Sequence, residues 1–261
     1  MKILPVIDLM KGLVVRGVAG RRSEYRPIES RLCDSAEPAD VARALVSHFS
    51  FDAIYVADLD AIAGAEPAWE LYEAIAASGS RLLVDAGLRD LARARELAAF
   101  RVSGKPLSGV IAGLESVDSP WLLAEMISMV GADRLIFSLD LRAGTPLTAA
   151  AAWQGMTADQ IAETAYQCGA RRMILLDLAD VGVGQGVGTI ELCQRLRATA
   201  PFRADAGAER VQLIAGGGVR GRPDLDRLSA AGCDAALVAS ALHDGRLSPA
   251  DVRAIQGAAS E

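Results

Sequence analysis

The sequence predicts a (β/α)8 TIM barrel, and three observations carry that prediction. Short runs of Val, Ile and Leu alternate with Ala-rich stretches of helical periodicity along all 261 residues. Eight such pairs fit a barrel, whose usual size is about 250 residues. No glycine-rich turn follows the first apolar run, which disfavours the doubly wound open sheet, the competing arrangement.

The strands are expected at 3–8, 53–58, 81–85, 109–112, 134–140, 173–177, 211–215 and 235–239. The first helix, in "EPADVARALVSHF", carries Pro38 in its first turn and sets Val41, Leu45, His48 and Phe49 at helical spacing. The stretches "EPAWELYEAIAAS", "LRDLARARELAAF", "SPWLLAEMISMV", "TADQIAETAYQCG", "TIELCQRLRA" and "RPDLDRLSAAG" repeat the pattern, several closing on glycine, and "SPADVRAIQ" follows the eighth strand. Trp69 and Trp121, each within two residues of a proline at a helix start, read as packing anchors. One domain spans 1–261, with half-barrels at about 1–130 and 131–261. Asp8 and Asp140 stand 132 positions apart, and Asp85 and Gly216 stand 131 apart within "VDAGLR" and "AGGGVR", which share a Gly-aliphatic-Arg ending.

Composition narrows the function. A net charge of −6 provides no basic face for nucleic acid or an anionic membrane. No apolar run reaches the length of a membrane span, and the opening "MKILPVIDLM" turns polar too soon for a signal peptide. Cys33, Cys168, Cys193 and Cys233 are scattered without paired spacing and read as the reduced thiols of a cytoplasmic protein. His48 and His243 have no Cys or His at ligand spacing, so no metal site is expected.

Barrel active sites lie at the C-terminal ends of the strands. Asp8 and Asp140 end strands one and five, across the mouth from each other, where one can act as base and the other as acid. Gly216, Gly217 and Gly218 open a turn before a helix, and Ala239 and Ser240 follow strand eight; bare N–H groups at these two loops suit a phosphate. Arg220 could add charge there or lie on the surface. Asp58 and Asp177 end strands two and six, where lining the mouth and capping a turn are both open. Arg21, Arg22 and Arg26 cluster in the first loop, as a lid over an anion or as surface ion pairs. His243 could approach a bound phosphate, though a helix-terminus role is the plainer account.

The stretches "ILPVIDLMKGLVVRG", "VADLDAIAG", "SLDLRAG", "AAWQG", "AGGGVR" and "ALHDGRL" resemble, in order and over essentially the whole chain, the ProFAR isomerase family of histidine biosynthesis, to which a cyclase branch is related. The resemblance implies a ribulose-phosphate-binding barrel of two half-barrels, a substrate with two phosphates, and a cofactor-free Amadori rearrangement of an aminoaldose to an aminoketose. It casts Asp8 as base, Asp140 as acid and Trp153 as a loop aromatic stacked on substrate, with Arg16 and the strand-end residues around it. Two departures stand out. The loop after strand three reads Asp85-Ala86-Gly87 where the family is glycine-rich, and the next strand ends Gly113-Leu114-Glu115 where a Gly-Thr pair is expected. A third lies in "DVGVGQG", which keeps Asp180 without a threonine in register. A carboxylate ~4 Å from a phosphate dianion costs about 2 kcal/mol even at bulk-water screening, and more at a protein surface. Asp85 and Glu115 therefore predict one phosphate site kept and the other lost, the second end of the substrate being neutral or cationic. "GRRSEYRPIES" gives the chain a further likeness to isomerase-related proteins of methanogens and methylotrophs, whose setting is methanopterin-linked one-carbon metabolism. A cyclase fed ammonia by a glutaminase and a non-catalytic phosphate-ligand-binding barrel are the competing functions. The oligomeric state is not legible.

Overall fold

Strands that are apolar on both faces have no side to give to water, so they close on one another beneath a helical coat. The computed structural model describes residues 1–184, 186–203 and 210–257. In it β1 (Lys2–Met10), β2 (Ala53–Asp58), β3 (Arg81–Asp85), β4 (Gly109–Gly113), β5 (Leu135–Arg142), β6 (Arg172–Asp177), β7 (Gln212–Gly216) and β8 (Ala235–Val238) form one parallel sheet in chain order. β8 pairs back onto β1, from Lys2 opposite Ala235 to Pro5 opposite Val238, which closes the expected (β/α)8 barrel.

Among the described residues, eight helices of eight or more residues follow the strands, besides two single turns at Leu59–Ile62 and Ser240–His243: α1 (Pro38–Phe49), α2 (Trp69–Ala76), α3 (Leu91–Ala99), α4 (Pro120–Val130), α5 (Ala158–Gln167), α6 (Ile190–Arg197), α7 (Arg222–Ala230) and α8 (Pro249–Gly257). Local chemistry sets their starts. Asp90 accepts the Arg93 N–H at 2.8 Å to open α3, Ser119 precedes Pro120 at the head of α4, and Thr157 and Gln160 form a reciprocal capping box on α5. Leu123, Met126, Ile127 and Val130 make the inward stripe of α4. Position 121 lies off that stripe, so Trp121 is 66 % exposed and is not the packing anchor expected of it. Trp69 is one, set against Tyr72 and Phe100.

Strand parity decides what enters the barrel. Leu4, Tyr55, Leu83, Ile111, Ile136, Ile174, Ile214 and Leu237 belong to the inner cluster, whereas Ile7, Val56, Val84, Ala112, Phe137, Leu175 and Ala215 face the helices. Counting by twos up each strand, Asp8, Asp85 and Asp140 share the inward parity, and Asp58 and Asp177 share the outward one.

Two hairpin extensions, beyond the eight expected β/α units, lie at the mouth. β1 turns through Lys11-Gly12 into Leu13–Arg16, and β5 turns through Ala143-Gly144 into Thr145–Pro146. All four turn residues have positive φ, the geometry that matches strand twist in a two-residue hairpin. The two turns lie 132 positions apart, the separation of Asp8 from Asp140. All four cysteines are free thiols, and Cys193 and Cys233 lie buried with sulfurs 2.9 Å apart. Among the described residues no helix is long and apolar enough to cross a membrane.

Candidate active site

A cavity of about 1020 Å³ opens at the C-terminal ends of the strands. Asp8, Asp85 and Asp140 reach it because each has inward parity near the C-terminal end of its strand. Glu115 enters from the loop after β4, and Arg16 from the strand that extends β1. Gly217, Gly218, Ala239 and Ser240 line the side formed by β7 and β8. Gly216 is the inward end of β7 and lies beneath that wall, against Leu176 and Leu237.

The carboxyl groups differ in surroundings. Asp8 accepts no hydrogen bond from any other described residue, and burial pushes its pKa up to about 7. A Cβ at Gly17 would sit 3.1 Å from its Oδ2, so the bare backbone there keeps the carboxylate free to meet a ligand. Asp140 is buried and accepts the Ser138 hydroxyl at 2.7 Å. Burial drives its pKa well above the ordinary carboxylate range, with Asp85 and Glu115 adding to the rise against the Ser138 bond. Asp85 is raised to about 7, chiefly by burial, with the Gly87 N–H pulling it down and Glu115 pushing it up. Its Oδ1 accepts that N–H at 3.1 Å, and Tyr55 Oη stands 3.5 Å from its Oδ2.

The two halves therefore offer an anion different things. Beyond β3, the Gly87 amide is already bonded to Asp85. Beyond β7, no acceptor among the described residues takes the N–H of Gly218 or Ser240. Gly218 holds φ +76°, and a Cβ there would lie 1.8 Å from the Gly186 carbonyl oxygen, so only glycine lets these two loops touch. Arg220 bonds Asp224 through Nε and Nη2, both at 2.9 Å, and contributes no free charge to the loop. Arg16 and Arg246 supply the cations on this wall, both paired with Asp244 between them.

Three expected site residues lie elsewhere. Asp58, outward by parity, accepts the Ala61 and Ala68 N–H groups and the Tyr72 hydroxyl at 3.0, 2.9 and 2.6 Å. Asp177 likewise accepts the N–H groups of Ala143, Gly144 and Ala179 at 3.0, 2.7 and 3.0 Å, holding the β5 hairpin. Both are turn caps, not ligand contacts. Trp153 is buried, stacked on Phe137, with its indole N–H on the Val117 carbonyl at 2.8 Å. His243 is also buried, its Nδ1 2.9 Å from the Ser30 hydroxyl, and does not line the cavity. Arg21 pairs with Glu24, whereas Arg22 lines the cavity and donates to the Leu59 carbonyl. Gln185 of the "DVGVGQG" loop lies outside the described residues. Sequence reasoning missed Tyr55, Tyr25 and Arg246, all of which line the cavity.

Comparison with known proteins gives the same outline. The family model described as histidine biosynthesis protein matches residues 2–248. An uncharacterized protein of Methanocaldococcus jannaschii is 30 % identical over 247 residues, 95 % of each chain. The ProFAR isomerase of Thermus thermophilus, named for an imidazole-4-carboxamide bearing two phosphoribosyl groups, is 30 % identical over 255 residues, 95 % of this chain and 96 % of its own. Its counterpart in Desulfitobacterium hafniense is 27 % identical over 271 residues, 100 % of this chain and 99 % of its own.

Proposed function

The chain belongs to the histidine biosynthesis protein family, and from that premise we propose an isomerase of ProFAR-isomerase type, acting by acid–base chemistry on a sugar-derived substrate with one phosphate. The observation that carries the proposal is the pair Asp8 and Asp140, on strands that face each other, both inward and raised by burial but differing in hydrogen-bond partners and neighbouring charge. Asp140, whose burial favours the protonated form, gives its proton to the ring oxygen of an aminoaldose as the ring opens. Asp8, near its pKa and without a competing donor, then takes the C2 proton, and the resulting enol becomes the aminoketose. The groups' different environments support opposite roles. No residue of the chain in this scheme calls for a cofactor.

The phosphate is assigned to the wall of Gly217, Gly218, Ala239 and Ser240, where free amides and the Arg16–Asp244–Arg246 group meet. Asp85 and Glu115 support the loss of a second phosphate site. Half-barrels at about 1–130 and 131–261 gain support from the matching hairpins on β1 and β5. A divergent paralogue with another role, including one in methanopterin-linked one-carbon metabolism, is the second reading. It draws on the archaeal relative, which is as similar as the Thermus isomerase. Crystals grown with inorganic phosphate test the assignment: one anion at Gly217–Ser240 is expected, and anions at both halves refute it. Turnover of ProFAR with a KM of micromolar order would return the chain to the two-phosphate reaction.

A further inference from the structure

We infer that Tyr55 is a specificity-determining residue that, together with Asp85, takes a hydroxyl of the substrate at the end of the cavity where a second phosphate would otherwise sit. The inference rests on the one-phosphate reading above. Tyr55 occupies the middle inward position of β2, flanked by the inward alanines Ala53 and Ala57, so its ring stands clear of large neighbours on its own strand. The residue is 5 % exposed and lines the cavity. Among the described residues its hydroxyl has one protein partner, Asp85 Oδ2, at 3.5 Å. That distance is the outer edge of a hydrogen bond, and a buried hydroxyl ordinarily finds a better partner. Here the better partner is whatever fills the cavity.

The chemistry of the gap selects that partner. The phenol stays protonated, because burial and the carboxyl groups of Asp85, Asp140 and Asp8 all oppose its ionisation. It therefore offers a proton, and Asp85 Oδ2 beside it seeks one. A phosphate offers acceptors alone and meets Asp85 and Glu115 with like charge. An ammonium offers donors alone and leaves the phenol proton where it is. An alcohol accepts from Tyr55 through its oxygen and donates its own proton to Asp85, so both groups are bonded across one atom. A neutral polyhydroxyl end, opposite a single phosphate, is the substrate class that this arrangement reads.

The test is calorimetric titration of the wild-type chain and Tyr55→Phe with inorganic phosphate, ribose 5-phosphate, glucose 6-phosphate and glucosamine 6-phosphate. One of the neutral sugar phosphates should bind wild type about fivefold more tightly than inorganic phosphate, the worth of one neutral hydrogen bond. Tyr55→Phe should erase that gain and leave phosphate affinity and melting temperature unchanged, which a merely structural role would not do. Three results overturn the inference alone: phosphate binding without a sugar gain, a gain that survives Tyr55→Phe, or tighter binding of glucosamine 6-phosphate than of glucose 6-phosphate. Absence of phosphate binding, or phosphate binding indifferent to Gly218→Ala, overturns the one-phosphate reading and this inference with it.

Discussion

Removing the charge of Asp85 should open a second anion site, and two substitutions separate the reasons. At ~4 Å a carboxylate and a phosphate dianion repel by about 2 kcal/mol even at bulk-water screening, about thirtyfold in affinity. Asp85 is raised to about 7, so roughly half of it is ionised at neutral pH and nearly all at pH 8.5. The contrast is therefore largest at pH 8.5 and narrows as pH falls toward 6. Asp85→Asn removes the charge but leaves a carbonyl able to hold the Gly87 N–H. Asp85→Gly removes the charge and frees that amide, which adds a charge-assisted bond of about 1.5 kcal/mol, or roughly tenfold. A glycine there also costs about 1 kcal/mol of strand stability, visible as a lower melting temperature. Titration with inorganic phosphate at pH 8.5 should give one site in wild type, a weak second site in Asp85→Asn, and a second site about tenfold tighter in Asp85→Gly. Two sites in wild type, or one site in all three, refutes the charge argument.

Asp8→Asn should abolish turnover and any complementation while phosphate binding persists. It should also melt higher than wild type above pH 7, by about 2 kcal/mol once its partly open flank is allowed for. Because the folded pKa of Asp8 is raised, its destabilisation is full above about 7 and fades as pH falls toward 4, so the difference in melting temperature should shrink over that window. His243 works in the opposite sense. Burial lowers its pKa to about 4, so its contribution is present above 6.5 and lost as pH falls from 6.5 toward 4. His243→Gln should flatten that part of the stability curve, by about 3 kcal/mol in all. Asp224 holds Arg220 and Arg227 and is itself buried. Asp224→Ala leaves Arg220 and Arg227, both about half exposed, without their shared acceptor and should cost about 1 kcal/mol in denaturant unfolding, while the freed Arg220 charge beside the glycine loop should tighten phosphate binding.

The barrel was legible because its two periods are visible in the sequence: β2 and β3 begin and end at the expected residues, and the other strands differ by one or two. Alternation also held information that the strand-end rule alone discards. Asp8, Asp58, Asp85, Asp140 and Asp177 look alike as terminal aspartates, yet two-residue counting from Leu4, Ala53, Leu83, Ile136 and Ile174 sends Asp58 and Asp177 outward. The same count exposes Tyr55 as the one bulky polar side chain among the inward residues of β2. Trp153 resisted such reading because its loop has no period; its burial depends on Phe137 and the Val117 carbonyl, both distant in the chain. Cys193 and Cys233, 40 positions apart, meet only because α6 packs beside the turn that closes α7.

What separates the two halves of the mouth is the use made of one backbone amide. On the β3 side, a strand-end carboxylate turns back to bond the second residue after it, Gly87, which removes an anion donor and adds a negative charge at the same point. On the β7 side, the matching position is Gly216, which has no side chain to turn back, and Gly218 keeps its N–H. A single replacement thus reverses both the hydrogen-bond supply and the sign of the local field. It also raises the pKa of Asp140, since Asp85 is one of the groups that oppose its ionisation. On the proposed reading, the carboxylate that disfavours a second phosphate also helps to raise Asp140. Asp85→Asn should for that reason shift the alkaline limb of the pH–rate profile, the limb set by the general acid, to lower pH, and a profile unmoved by the substitution would show that burial alone raises Asp140.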